Sequence, residues 1–362
     1  MLITGARPNF IKAAPLFAEL RNRETIFESL LVHTGQHYDH NLSQVFFDEL
    51  KMPQPDIILD VGSGSHSRQT ANIMVGLEDA FEKHKPDMVL VFGDVNSTLA
   101  GSLVAAKMRI PIAHVESGLR SFDMSMPEEV NRIVTDRLSD ICFVSESSGM
   151  VNLKNEGMAP EKLFLVGNIM IDSLKHHLDT ARNCKILEQL GLTPKSYAVL
   201  TLHRPSNVDD KVTLEKTVHM LNEISLKIPV VFPCHPRTKK ELTSSLLWNL
   251  VGRENIRIVE PLGYIEFLRV QSDAKFILTD SGGVQEESTY LGVPCITLRY
   301  NTERPVTVEI GTNILTGPDP SQVMPAIEQI LSGKFKKGNI PPLWDGQTAR
   351  RITEILISGL SI

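Results

Sequence analysis

The side chains best placed for chemistry lie between Leu278 and Pro305, in the run LTDSGGVQEESTYLGVPCITLRYNTERP. Apolar residues Phe276 to Leu278 predict a buried strand, and Thr279 and Asp280 carry it out of the sheet. Ser281, Gly282 and Gly283 make the turn into a short helix over Val284 to Leu291 that Gly292 ends. A serine and two glycines at a helix amino end leave several backbone N–H groups unpaired and unobstructed. With the positive end of the helix dipole, they form a seat for phosphate oxygens. Arg304, in the loop after the next strand (Val293 to Leu298), is a planar cation able to grip a diphosphate at two points. Glu286 and Glu287 suit the dipole but would repel a phosphate beside them, so one of them fits sugar hydroxyls, such as those of a ribose. The plainer reading of the stretch alone is a glycine turn, a solvated glutamate pair and a surface arginine.

Other candidates stand directly after apolar runs. Gly5-Ala6-Arg7-Pro8 precedes a helix carrying Lys12; Arg7 and Lys12 suit an anion, or are a surface pair. Asp94 follows the strand ending at Phe92 and, taken alone, is an N-terminal capping aspartate. Glu116 follows the strand ending at Val115, where a carboxylate is costly unless paired or used. Glu128 and Glu129 open a helix at Pro127 and favour its dipole whatever else they do. His203, beside Arg204 past a further strand, can bind phosphate or move a proton, and His235 with Arg237 repeats the arrangement one strand later. Tyr264 and Phe267 offer aromatic surface for a base, or are core. Asp94, Glu116 and Glu128 in one half, with a phosphate seat in the other, point to acid/base chemistry across a cleft.

The elements that must hold these residues alternate. Short apolar runs (Ile26 to Val32, Met88 to Phe92, Pro111 to Val115, Ile141 to Val144, Leu163 to Val166) are separated by helical spacings such as Ser97 to Met108 and Pro127 to Leu138. A helix begins near Ile169, and a second series follows: Ala198 to Leu202, Pro229 to Pro233, Ile256 to Val259, Phe276 to Leu278 and Cys295 to Leu298. Such alternation predicts parallel sheets with helices on both faces. At 362 residues, two doubly wound α/β domains fit better than one. The expected division is 1–169, 170–345 and a final helix in 346–362 that packs on either half. In such sheets ligands bind beyond the carboxyl ends of the strands.

Composition narrows the function. A net charge of −6 without a lysine or arginine run argues against a nucleic-acid partner. The strongest basic cluster, Lys334, Lys336 and Lys337, reads as a solvated loop. No apolar run reaches membrane-spanning length, and Gly5, Arg7 and Pro8 interrupt any signal peptide, so a cytoplasmic protein is expected. Cys142, Cys184, Cys234 and Cys295 form no CxxC and read as free thiols in a reducing compartment. GxGxxG is missing after the first strand and Gly62-Ser63-Gly64 follows no clear strand, which disfavours a nicotinamide cofactor. His33, His37 and His40 complete no metal-ligand pattern, so neither a metal nor a redox cofactor is expected.

Taken in order, these motifs resemble the non-hydrolysing UDP-N-acetylglucosamine 2-epimerase family over nearly the whole chain. They are Gly5-Ala6-Arg7-Pro8 with Lys12, Gly93-Asp94, His114-Val115-Glu116-Ser117-Gly118-Leu119-Arg120 and Pro127-Glu128-Glu129-Val130-Asn131-Arg132, followed by His203-Arg204, the run from Thr279 to Glu287, and Thr302-Glu303-Arg304-Pro305. The resemblance implies two Rossmann-like domains facing a cleft in the glycosyltransferase-B manner, a homodimer, no redox cofactor, and interconversion of UDP-GlcNAc and UDP-ManNAc for surface polysaccharide synthesis. By the same resemblance Arg7, His203, Ser281, Gly282, Gly283, Glu287 and Arg304 would hold UDP. Lys12, Asp94, Glu116 and Glu128 would surround the sugar, and Phe267 would line the uridine pocket. UDP would leave C1 as the C2 proton is lost, giving 2-acetamidoglucal, and re-add after a proton reaches the opposite face. Asp94, Glu116 and Glu128 would share the proton work.

Three departures stand out. Bacterial members carry Gly-Thr-Arg-Pro-Glu where this chain has Gly-Ala-Arg-Pro-Asn, and their regulatory Gln-His-Arg segment here reads Gln36-His37-Tyr38-Asp39, so activation by UDP-GlcNAc is not expected. Only four residues precede Gly5, giving a short first strand. Relatives with Gly-Ala-Arg-Pro include epimerases of diacetamido-uronic acid nucleotides, which leaves the sugar open. The competing functions are a glycosyltransferase on the same fold, a silent UDP-sugar sensor, and a hydrolysing epimerase that releases free ManNAc.

Overall fold

Runs of β-branched and apolar residues flanked by turn formers become strands buried on both faces, as a doubly covered parallel sheet requires. The run Val89–Phe92 is buried at all four positions, and so are all six residues of Ile112–Ser117. The computed structural model describes residues 1–35, 49–50, 52–251 and 255–359, with only the backbone of Arg7 and Leu250. The chain divides into one unit comprising Met1–His176 with Pro342–Ile362 and a second comprising His177–Pro341.

In the first unit, β1 (Leu2–Thr4), β2 (Leu31–His33), β3 (Ile57–Ile58), β4 (Val89–Phe92), β5 (Ile112–Ser117), β6 (Ile141–Val144) and β7 (Leu163–Leu165) form one parallel sheet in the order β3-β2-β1-β4-β5-β6-β7. The second unit repeats the winding. Its strands are β8 (Ala198–Thr201), β9 (Val230–Pro233), β10 (Ile256–Val259), β11 (Phe276–Thr279), β12 (Cys295–Thr297) and β13 (Asn313–Leu315), in the order β10-β9-β8-β11-β12-β13, again parallel. In both sheets the order reverses beside the first strand, between β1 and β4 and between β8 and β11. That reversal opens a crevice at the carboxyl ends, where doubly wound sheets bind ligands.

Two short strands, Ile57–Ile58 and Asn313–Leu315, escape sequence periodicity, being too brief to show it. The run expected as a strand from Ile26 pairs only at Leu31–His33; residues 22–26 form a turn and Ile26 is exposed. The helix expected near Ile169 runs Ile169–Arg182, across the division between units. The final helix, Thr348–Gly359, belongs to the first unit. It packs against the helix Arg7–Arg21, its Ala349 N–H donates to Asp172 (2.8 Å) and Arg351 donates to the Val166 carbonyl (3.0 Å). All four cysteines are free thiols, with Cys142, Cys234 and Cys295 buried. Among the described residues no helix is long and apolar enough to cross a membrane.

Candidate active site

The crevice of the first sheet is built from the turns after β1, β4 and β5. After β1, the Asn9 side chain accepts from the Gly5 and Ala6 N–H groups (3.4 and 3.3 Å) and donates to the Phe92 carbonyl at the end of β4 (2.8 Å). One asparagine thus ties the two strand ends at the reversal point. Arg7 opens the following helix, and its side chain lies outside the described residues. One turn on, Lys12 is buried and sets its Nζ 2.7 Å from Glu116 Oε1. Gly93 must be glycine: its φ is +61°, and a Cβ there would meet the Lys12 Nζ at 2.7 Å.

Glu116 sits in β5 with φ of +71°, at the point where the pairing of β5 with β6 slips by a residue. A bulge re-aims a side chain, and a left-handed glutamate costs of order 1–3 kcal/mol, borne only where surrounding structure over-determines it. Asp94 does not cap the next helix; Val95 occupies the cap position of Asn96–Met108. The Asp94 carboxylate instead meets the guanidinium of buried Arg132, and its carbonyl accepts from Asn131 (2.8 Å).

The adjacent glutamates of the helix Pro127–Leu138 part company. Glu129 is buried and accepts from the N–H groups of Ser121 (3.0 Å) and Phe122 (2.9 Å) and from Arg132 Nη2 (2.6 Å). Burial alone would raise its carboxyl, but these backbone donors and the arginine overcome that and hold it below the ordinary carboxylate range. Glu128 is half-buried at the helix start. The sequence therefore presents Arg132 inside a motif without revealing its task; its place three residues after Glu129 signals only their local pair, not the contact with Asp94.

The second unit builds a different crevice. Ser281 stands at the cap position of the helix Gly282–Leu291, with no side chain capping it. The Arg304 guanidinium lies directly over Gly282, where an added Cβ would meet Nη1 at 2.5 Å. Arg304 is 2.8 Å from Glu286, and Arg299 grips Glu303 through two hydrogen bonds of 3.0 and 2.9 Å. Arg204 (3.8 Å) and Arg304 (3.6 Å) also approach Glu303. Arg204, Arg299 and Arg304 thus converge on Glu286 and Glu303 beside an amino-terminal helix end, whose backbone N–H groups and dipole favour an anion.

Buried Asp280 organises the neighbouring turn. It accepts from the N–H groups of His203 (2.9 Å) and Arg204 (2.8 Å), from Asn207 (3.2 Å), and lies 2.8 Å from His203 Nδ1. Burial would raise its carboxyl; the His203 ring and these N–H donors reverse that and place it below the ordinary range. The carboxylate holds the ring through Nδ1, a role a strand-end aspartate does not disclose in sequence. Glu287 is buried and accepts from Gln271 (2.8 Å). Phe267 is half-buried and packs on the cluster that includes Val284.

Among the described residues no group of histidine, cysteine, aspartate or glutamate could hold a metal ion. His33 ends β2 with its ring edge-on to Phe10 (5.0 Å), while His37, His40 and the segment Gln36-His37-Tyr38-Asp39 lie outside the described residues.

Comparison with known proteins gives these crevices a lineage. The family model described as UDP-N-acetylglucosamine 2-epimerase matches residues 18–357. The chain belongs to the UDP-N-acetylglucosamine 2-epimerase family. A UDP-N-acetylglucosamine 2-epimerase of Methanococcus maripaludis is 42% identical over 98% of this chain and 97% of its own length. A UDP-2,3-diacetamido-2,3-dideoxy-D-glucuronate 2-epimerase of Pseudomonas aeruginosa is 41% identical, covering 98% of each. The crystal structure of the Methanocaldococcus jannaschii UDP-GlcNAc 2-epimerase in complex with UDP-GlcNAc and UDP superposes with a TM-score of 0.91 at 42% identity, covering 99% of both chains. The fold is accordingly the two-domain, glycosyltransferase-B-like fold of this epimerase family, and the chain is an isomerase of nucleotide sugars.

Proposed function

We propose that the chain interconverts UDP-GlcNAc and UDP-ManNAc by elimination and re-addition of UDP. The second unit holds the nucleotide, with the diphosphate on the amino end of Gly282–Leu291, near Arg304 and His203. Ser281 and Gly283 add backbone donors, Glu287 takes ribose hydroxyls, and Phe267 lies along the base. The first unit supplies the proton chemistry. The observation that carries this reading is the pairing, at adjacent strand ends, of Glu116 with Lys12 and of Asp94 with Arg132. A site that only bound an anion would gain nothing from carboxylates there.

The ring carbon C2 has no adjacent carbonyl, so its proton is too weakly acidic for direct removal. Departure of UDP from C1 solves this. The C1–O bond breaks, the C2–H electron pair forms the C1=C2 bond, and a carboxylate takes the proton. Asp94, Glu116 and Glu128 share this work, one accepting the proton and another delivering one to the opposite face before a UDP oxygen re-adds to C1. Cations and backbone N–H groups stabilise the departing diphosphate. Every step is redox-neutral, so no electron acceptor is needed.

The expected setting is a cytoplasmic homodimer supplying surface polysaccharide synthesis, with hyperbolic kinetics in the ManNAc direction; light scattering and initial rates test the assembly and the kinetics. Proton NMR of UDP-GlcNAc in heavy water tests the reaction itself: deuterium enters C2 and UDP-ManNAc appears without an acceptor. No exchange, exchange only when an acceptor is added, or release of free ManNAc would refute it. The full-length Pseudomonas aeruginosa relative favours one second reading, a UDP-diacetamido-uronic acid as the hexose. Parallel exchange rates on both nucleotides distinguish the two.

A further inference from the structure

Beneath the carboxylates of the first unit lies a buried network that this mechanism leaves unused. His114, in β5 and wholly buried, places Nε2 2.8 Å from the Gly93 carbonyl and Nδ1 2.6 Å from Asp136 Oδ1. The second Asp136 oxygen accepts from the Gly118 N–H (3.1 Å) and from Arg120 Nη1 (2.7 Å), and Arg120 turns its other edge to Glu156 (2.8 and 2.6 Å). A backbone carbonyl only accepts, so Nε2 of His114 carries a hydrogen. The 2.6 Å contact to Asp136 needs a second proton between ring and carboxyl.

What this network grips matters. Gly93 is the residue before Asp94, and its carbonyl belongs to the peptide that leads into it. Gly118 follows Glu116 by two residues. Gly93, Glu116 and Gly118 all have left-handed backbones, with φ of +61°, +71° and +81°. Glycine takes such a backbone without cost but glutamate does not, so Glu116 needs support from its surroundings, and the network contacts the peptides at both turns. Around Asp136, burial pushes the carboxyl up while His114 and Arg120 bring it below the ordinary range, so it stays a carboxylate able to accept from every donor facing it.

We propose that His114 and Asp136 form a positioning bracket that fixes the turns bearing Asp94 and Glu116 relative to one another for proton transfer at C2. The proposal rests on the epimerase reading and deepens it. His114 and Asp136 act through the backbone and touch no substrate. An error of about 1 Å in a reacting group costs roughly 100-fold in rate, which sets the scale of what such a bracket controls.

The test compares Asp136→Asn, His114→Gln, His114→Asn and Glu156→Gln in the full chain. Asparagine at 136 has one acceptor oxygen where His114, Gly118 and Arg120 all seek one, so at least one donor faces an N–H group. Gln at 114 keeps reach toward the Gly93 carbonyl and Asn keeps reach toward Asp136, each losing the other end. The expected result for Asp136→Asn and both His114 variants is a fall in kcat of about 10- to 100-fold. KM for UDP-GlcNAc and the affinity for UDP stay at parental values, and C2 deuterium exchange falls in step with kcat. The double variant His114→Asn with Asp136→Asn is no slower than the worse single one. Glu156, 38% exposed at the far end of Arg120, lies outside the bracket, and Glu156→Gln lowers thermal stability while keeping kcat.

Parental kcat in Asp136→Asn overturns the bracket. So does loss of activity in all variants, Glu156→Gln included, in proportion to lost thermal stability. Should Asp136→Asn fail to fold, the His114 variants read the same split between kcat and KM. The parent is the internal control: a parent that does not exchange C2 refutes the epimerase reading, whereas an exchanging parent beside an unaffected Asp136→Asn refutes the bracket alone.

Discussion

The two units share a winding but not a chemistry. Each sheet reverses its order beside its first strand, and each places its polar turns at that reversal. Around the carboxyl ends of β1, β4 and β5 stand paired opposite charges, Lys12 with Glu116 and Arg132 with Asp94. At β8 and β11 the turns carry a helix amino end under a guanidinium, with Arg204 and Arg299 converging on Glu303 beside it. Topology thus decides where a ligand goes, and a few turn residues decide what is done to it. In the function proposed above, the first crevice holds and moves a proton and the second holds a diphosphate.

Substitutions that separate the two roles test this contrast most sharply. The largest effect is expected from Glu116→Gln. Turnover and C2 exchange should fall by about 10²- to 10⁴-fold, while UDP affinity measured calorimetrically stays parental. Near-normal turnover with an unchanged pH profile would remove Glu116 from the proton work. Arg304→Ala should do the reverse, weakening UDP by roughly 10- to 100-fold, as loss of hydrogen bonds to a charged group does. Gly282→Ala should follow it in direction, since the new Cβ would meet Arg304 Nη1 at 2.5 Å. UDP affinity unchanged in both variants would detach the helix end from the nucleotide.

Much of this contrast is legible in the sequence, because strand-end turns are local. The Ser281-Gly282-Gly283 turn and the Gly93-Asp94 turn announce themselves by composition and by the apolar run before them. What stays hidden is pairing across the fold. Asp280 serves His203 from 77 residues away and Arg132 serves Asp94 from 38, distances over which no periodicity operates. The choice between Glu128 and Glu129 is hidden for a related reason. Adjacent helix residues point in different directions, and only the loop holding Ser121 and Phe122 shows that Glu129 is taken. The same holds for the strand expected from Ile26, which among the described residues pairs from Leu31 onward.

Smaller effects refine the second crevice. Asp280→Asn should lower turnover by about tenfold, in line with losing a partner that orients a histidine. It should also change the acid stability of the protein. The native carboxyl of Asp280 lies below its unfolded value, so its contribution to stability is complete above about pH 4 and is lost as pH falls through the native value. The stability gap between parent and variant, followed by denaturant unfolding, should therefore close in acid; a gap that persists there would contradict the assignment. Least of all, Phe267→Ala should weaken UDP only about threefold, the scale of one lost aromatic contact. A loss as large as that of Arg304→Ala would mean that the base, not the diphosphate, dominates binding.

The most direct measurement is a crystal structure of the protein grown with UDP. The account predicts the diphosphate on the amino end of Gly282–Leu291, its oxygens bonded to backbone N–H groups from Ser281 to Gly283 and to Arg304. A diphosphate bound anywhere else, with that helix end left to solvent, would contradict it.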